Sequence, residues 1–165
     1  MRILIAEDDT DIRSYLVAVC EAFGHSVTEC DTGPSAWREF EREPYDIVIL
    51  DRMMPGFEGL EVCRRIRESR SNTYIIAITG LDKDHEVAAG LDAGVDDYIN
   101  KPVSEKLLRN RLLIAQQRIL ERHSLATAQR NERRAQQKAT NQRNALHEHA
   151  VVLMTDKEGR ATFAN

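Results

Sequence analysis

Ile3-Leu4-Ile5-Ala6-Glu7-Asp8-Asp9 sets four apolar residues directly before three acids. An apolar run without alternation suits a strand buried on both faces, and such strands occur chiefly in parallel sheets covered by helices. Ile47-Val48-Ile49-Leu50 repeats the pattern and stops at Asp51, and Ile75-Ile76-Ala77-Ile78 repeats it and stops at Thr79. These three runs are expected at the centre of a sheet. The predicted strands as a whole are 2–6, 26–30, 45–50, 74–79 and 97–99. Helical periods fill the gaps between them. Ile12, Leu16, Val19, Cys20 and Phe23 share a face ahead of Gly24, Gly33-Pro34 is a proline-led helix start before Trp37 and Phe40, and Leu60, Cys63 and Ile66 form a third stripe. Val87, Leu91 and Val95 form a fourth, ending near Gly94. Strands alternating with helices predict an α/β domain: a doubly wound, five-stranded parallel sheet whose right-handed crossovers leave the ligand site at the carboxyl edge.

That edge collects charge. Glu7, Asp8 and Asp9 follow the first strand and Asp51 ends the third. Carboxylates about 4 Å apart repel by about 4 kcal/mol per pair at an effective dielectric near 20, so the cluster must hold protons or a cation. Hard oxygen donors with no His or Cys beside them favour Mg²⁺. The fourth strand delivers Thr79 to the same edge and the fifth delivers Lys101, followed by Pro102. A hydroxyl and an ammonium facing a metal-bound carboxylate suit the equatorial oxygens of a phosphoryl group.

These motifs, with Asp51-Arg52-Met53-Met54-Pro55-Gly56-Phe57-Glu58-Gly59, Ile78-Thr79-Gly80 and Gly94-Val95-Asp96-Asp97-Tyr98-Ile99-Asn100-Lys101-Pro102, resemble the receiver domain of two-component response regulators over about residues 1–120. The resemblance implies the flavodoxin-like receiver fold, with Asp51 as phosphoacceptor. It implies Mg²⁺ held by Asp8, Asp51 and the backbone carbonyl of Met53, with Glu7 acting through metal-bound water and Asp9 a solvated extra acid. Thr79 and Lys101 would grip the phosphoryl group, and Tyr98 would be the aromatic that swings inward when Thr79 is drawn to it. The Lys101–Pro102 turn would suit a cis bond. Met53 and Leu81, two places beyond Asp51 and Thr79, would flank the path of the hydrolytic water; both are apolar, which implies a long-lived phosphoryl group. The donor would be a histidine kinase or a histidine phosphotransfer protein.

Composition narrows the setting. Of 165 residues, 42% are hydrophobic and 30% charged, and no stretch of 18 apolar residues occurs, so one soluble domain with an appendage is expected in the cytoplasm, with no membrane span. Cys20, Cys30 and Cys63 are odd in number and set among apolar residues, which predicts buried free thiols. His25, His85, His123, His147 and His149 have no metal-ligand spacing and are expected to face solvent. No Gly-Lys-Ser/Thr triplet occurs, so a nucleotide phosphate loop is excluded.

The net charge of −4 conceals a division: residues 1–103 carry −10, residues 104–147 carry +7 and the last eighteen carry −1. From Ser104, a candidate N-cap, no Gly or Pro interrupts a helix before Gly159. Its first turns offer Leu107, Leu108, Leu112 and Ile119 for packing, while Ala128, Ala135, Ala139 and Leu146 fit a heptad seam interrupted by Glu132, Gln142 and His149. Residues 121–148 are therefore expected to form a helical, coiled-coil linker that makes a parallel homodimer. Residues 149–165 resemble the first β-hairpin of a PAS sensor domain, with a Thr-Asp-x-x-Gly turn, and imply a longer protein whose output would be a histidine kinase or a cyclic-dinucleotide synthase. The 165 residues by themselves would then be no enzyme beyond assisting their own phosphorylation and dephosphorylation. Two other functions compete. A Mg-dependent phosphatase of the haloacid dehalogenase type also joins a nucleophilic Asp to Thr and Lys, but it wants a second Asp two residues on, where this chain has Met53. A nucleic-acid arm could use the ten bases of 104–147, although the segment lacks aromatic residues and any recognition motif.

Overall fold

The computed structural model describes residues 1–80, 92–148, 152–155 and 161–164. Two compact units divide the chain, Met1–Leu120 and Glu121–Asn165. In the first, β1 (Arg2–Ala6), β2 (Ser26–Cys30), β3 (Ile47–Asp51), β4 (Tyr74–Thr79) and β5 (Asp97–Asn100) form one sheet in the order β2-β1-β3-β4-β5. Every pairing is parallel. Among the described residues the helices given by their full bounds are α1 (Thr10–Ala22), α2 (Gly33–Arg42), α3 (Gly59–Glu68) and α4 (Glu105–Glu148), the last continuing into the second unit. This is a doubly wound, flavodoxin-like fold with a long C-terminal helix, as the resemblance implied.

The apolar runs go where their lack of alternation demands. Successive residues of a strand point to opposite faces, so Leu4, Val48, Leu50, Ile75 and Ala77 pack beneath Ala36 of α2 and Leu60, Val62, Cys63 and Ile66 of α3. Ile3, Ile5, Ile47, Ile49, Ile76 and Ile78 take the other face, against Leu16, Val19 and Cys20 of α1 and Leu108, Leu112, Ala115 and Ile119 of α4. The three cysteines are free and buried in these two layers. Trp37 and Phe40 stack with ring centroids 6.0 Å apart on α2.

Local chemistry fixes the helix ends. Asp9 caps α1, its carboxylate accepting hydrogen bonds from the Asp11 and Ile12 amides at 2.9 and 3.0 Å. Thr32 and Ser35 form a reciprocal capping box on α2, with Pro34 in its first turn. The Ser104 hydroxyl accepts from the Leu107 amide at 3.3 Å ahead of α4.

Three expectations need amending. The third strand starts at Ile47 rather than 45 and takes in Asp51, because the Tyr45 carbonyl is taken by the Thr73 hydroxyl at 2.8 Å instead of a ladder amide. His25 is half-buried rather than solvent-facing; its Nδ1 is buried without a hydrogen-bond partner, and desolvation followed by the chain's amino-terminal charge lowers its pKa. The fifth strand runs to Asn100 rather than 99, with Asn100 paired to Thr79, while Asp9 is exposed as expected and in addition caps α1. Val87 and Leu91 of the fourth helical stripe lie outside the described residues, as do His85, Leu81 and His149.

In the second unit, β6 (Val152–Thr155) and β7 (Ala161–Ala164) pair antiparallel, with Thr155 opposite Ala161. The turn predicted between them lies outside the described residues. No helix among the described residues is long and apolar enough to cross a membrane.

Candidate functional site

The order of the sheet reverses at β1: the chain passes outward to β2, then crosses to β3 on the other side. A crevice opens at such a switch point, beyond the carboxyl ends of β1 and β3. Glu7 and Asp8 follow β1 directly, and Asp51 is the last residue of β3. One carboxylate oxygen from each lies within 4.8 Å of the other two. Glu7 is fully buried, Asp51 is 5% exposed and Asp8 is exposed.

Lys101 reaches in from beyond β5. Its Nζ donates to Glu7 Oε1 at 2.9 Å and to Asp51 Oδ2 at 3.1 Å. One ammonium thus serves two buried carboxylates. Burial is the main force on Glu7 and pushes its pKa up to about 7, reinforced by the charge of Asp51 and opposed by the Lys101 hydrogen bond. Burial pulls the Lys101 pKa down, but the hydrogen bonds to Glu7 and Asp51 outweigh it and the net displacement is upward. The other Glu7 oxygen, Oε2, is buried with no hydrogen-bond partner. An orphaned carboxylate oxygen beside two further carboxylates, with no nitrogen or sulfur ligand, fits a hard divalent cation such as Mg²⁺.

The backbone around the crevice is held closely. The Lys101 amide donates to the Thr79 carbonyl at 2.8 Å, and the Arg52 amide to the Ile78 carbonyl at 3.1 Å. Thr79 sits at the carboxyl end of β4, opposite Asn100, and its hydroxyl donates to the Gly80 carbonyl at 3.0 Å. Tyr98 faces Ala77 across β4 and β5, half-buried against the apolar layer that contains Cys63. The Lys101–Pro102 peptide bond is cis. Met53 stands in the loop after β3 with 60% of its surface exposed.

Two further residues belong to this site, Gly59, which closes a quoted motif but was given no role, and Arg13, which sequence reasoning passed over. A Cβ on Gly59 would lie 2.1 Å from the carbonyl oxygen of Asp51, so only glycine lets the first turn of α3 come this close to the end of β3. Arg13 places its guanidinium against the carbonyls of Glu7 and Asp8. Neither contact has a sequence signature, since both are made to backbone.

Comparison with known proteins agrees with the fold and the cleft. Residues 3–113 match the family of response regulator receiver domains, and the chain belongs to that family. It is 39% identical over 110 residues to the sensory transduction protein RegX3 of Mycolicibacterium smegmatis, covering 67% of this chain and 48% of that protein. It is 40% identical over 116 residues to the response regulator MprA of Mycobacterium leprae, covering 69% and 51%. The chain therefore spans about half the length of the curated relatives it matches. Among solved structures, the receiver domain of Francisella response regulator 1452 superposes with a TM-score of 0.67 at 31% identity, over 71% of this chain and 97% of that one. The BeF3-activated DrrB receiver domain does so with a TM-score of 0.63 at 32% identity, over 73% and 97%. Receiver domains of this family act in two-component signalling, bind Mg²⁺ at an acidic pocket and are phosphorylated by histidine kinases; they are not in general catalytic enzymes.

Proposed function

We propose that this chain is a phosphorylation switch whose phosphoacceptor is Asp51. The observation that carries the reading is the single ammonium of Lys101 spanning Glu7 and Asp51 at 2.9 and 3.1 Å, in a cleft whose third carboxylate is Asp8. A carboxylate oxygen of Asp51 attacks phosphorus, the bond from phosphorus to the donor's imidazole nitrogen breaks, and the electron pair returns to that nitrogen. Asp8, Asp51, the Met53 carbonyl and, through water, Glu7 would hold Mg²⁺, which supplies positive charge beside the phosphoryl oxygens. Lys101 then turns from the carboxylate to the phosphoryl group, and the Thr79 hydroxyl exchanges its Gly80 partner for a phosphoryl oxygen. Tyr98, half-buried beside β4, follows Thr79 inward. Pro102 keeps the Lys101 turn in place.

The remaining assignments extend this reading. Residues 1–120 act as the receiver and 121–148 as a helical linker that pairs two copies through Ala128, Ala135, Ala139 and Leu146, supported by the exposure of every side chain from 121 to 142. Residues 149–165 begin a PAS domain, a reading supported by the pairing of β6 with β7. A histidine kinase or phosphotransfer protein is the donor, in the cytoplasm, and the output is a histidine kinase or cyclic-dinucleotide synthase module. The test is incubation with acetyl phosphate followed by mass spectrometry. One phosphoryl group should appear, at Asp51 and only with Mg²⁺ present. Equal labelling of Asp51→Asn, or labelling undiminished by excess EDTA, would overturn the assignment.

A further inference from the structure

Two acids of the cation cleft, Glu7 and Asp8, hang from a loop of three residues between β1 and α1. Carboxylates that repel one another tend to spread, so the backbone beneath them must be held from elsewhere. The Glu7 amide donates to the Cys30 carbonyl at 3.1 Å, which secures one side of the loop to the end of β2. The other side meets Arg13. Its Nη1 donates to the Glu7 carbonyl at 2.8 Å and to the Asp8 carbonyl at 3.3 Å, Nη2 reaches the Thr10 hydroxyl at 3.4 Å, and Nε donates to Glu29 Oε2 at 3.2 Å. The Arg13 side chain is 15% exposed and that of Glu29 57%, so the pair lies at the edge of the solvent with the Glu7 carbonyl contact as its more sheltered part.

We infer that Arg13 is a positioning residue for the cation site: its guanidinium ties down the two carbonyls from which the cation-binding carboxylates project, and Glu29 holds and neutralises it. The geometry of guanidinium explains the choice of residue. A planar fork with five donors can serve two adjacent carbonyls, a hydroxyl and a carboxylate at once, which the compact ammonium of lysine cannot. The neutralisation matters because an unbalanced positive charge behind the loop would oppose a divalent cation in front of it. Glu29 lies at the end of β2, beside the Cys30 whose carbonyl holds the Glu7 amide, so both anchors of the loop come from the same strand end. This inference rests on the Mg²⁺ reading of the cleft.

Calorimetric titration of the full chain with MgCl₂ tests it, together with thermal denaturation in EDTA. Arg13→Met should weaken Mg²⁺ binding by about tenfold, the usual scale for removing a group that orients a metal's ligands. Arg13→Lys should recover only part of the loss, and Glu29→Gln should weaken binding less than Arg13→Met. Arg109→Met is the control: that guanidinium stacks over Phe23 at 5.2 Å, so its loss should lower thermal stability and leave Mg²⁺ affinity unchanged. If the wild type binds Mg²⁺ and Arg13→Met binds it equally well, the positioning role is wrong and the contacts merely brace α1. If Arg109→Met weakens binding as much as Arg13→Met, the effect is one of general stability and the inference likewise falls. If the wild type does not bind Mg²⁺, the reading of the cleft itself fails.

Discussion

At the residue scale, Lys101 is the group on which the cleft depends before any phosphoryl group arrives. Without it, two buried carboxylates face each other, and Glu7, already pushed up to about 7 by burial, gains further reason to keep a proton. Lys101→Ala is expected to lower unfolding free energy by about 2 kcal/mol in EDTA, read from urea denaturation, because breaking a buried pair leaves a charge uncompensated. The same variant should still bind Mg²⁺ yet fail to switch. Amide NMR shifts over β4 and β5 on adding acetyl phosphate, present in the wild type and absent in Lys101→Ala, would show it; lost Mg²⁺ affinity would count against the assignment. The lifetime of the phosphoryl group belongs to this scale too. On the proposed reading Met53, exposed in the loop after β3, flanks the path of the hydrolytic water, and its thioether offers that water no strong hydrogen bond. Met53→Asn with Leu81→Glu should therefore speed phosphate loss by about tenfold, positioning being a large part of phosphoryl-transfer catalysis. Equal decay rates would refute the water-placement argument. That Glu7, Asp8, Asp51 and Lys101 come together was legible because each follows or ends a strand at the same sheet edge, where clustered acids call for positive charge. Gly59 and Arg13 were not, because each answers a backbone oxygen, and no sequence pattern marks the carbonyl that a distant side chain will meet.

At the scale of elements, unbroken apolar runs identified β1, β3 and β4, and the helical stripes identified α1, α2 and α3, since burial on both faces leaves no room for polar residues. Boundaries were less legible. The start of β3 moved because Thr73, 28 residues away, captures the Tyr45 carbonyl. Helix α3 gives a sharp prediction. Its first residue, Gly59, is buried against the Asp51 carbonyl, so Gly59→Ala should cost at least about 2 kcal/mol in urea denaturation, the backbone being unable to yield as a flexible side chain would. Gly94→Ala should be costly as well, because its φ is 88° and an added Cβ would lie 2.8 Å from the Cγ of Arg67, whose guanidinium is held by the Gly94 and Thr73 carbonyls and by Asp96. The buried thiols give another. Burial pushes Cys20 up to about 12 and Cys63 up to about 11, so the folded chain keeps protons that the unfolded chain releases near pH 9. Their contribution to stability is complete below that value and drains away as pH climbs toward 11 to 12. Urea midpoints should fall with rising alkalinity, less steeply in Cys20→Ala, and a thiol reagent should modify none of the three cysteines until denaturant is added.

At the scale of the whole molecule, α4 shows where pattern reading stops. Leu108, Leu112, Ala115 and Ile119 are buried by the sheet, as their spacing required. Beyond them Ala128, Ala135 and Ala139 of the proposed seam are exposed, with no cover among the described residues, and a pattern that needs a partner cannot name it. Sedimentation of the full chain should show a reversible dimer, weak because alanine buries little area at roughly 25 cal/mol per Å². Ala135→Glu with Ala139→Glu should abolish it; an unchanged sedimentation coefficient across the wild type's concentration range would remove the coiled coil. The contact between Lys101 and Glu7 joins positions 94 residues apart. During synthesis the acids therefore leave the ribosome long before the ammonium that neutralises them, and a nascent chain ending at β4 would hold Glu7, Asp8 and Asp51 with no lysine among them. Docking of β5 is what brings Lys101 to the two carboxylates, so on the proposed reading the charge balance of the cleft is complete only once the fifth strand of the sheet is in place.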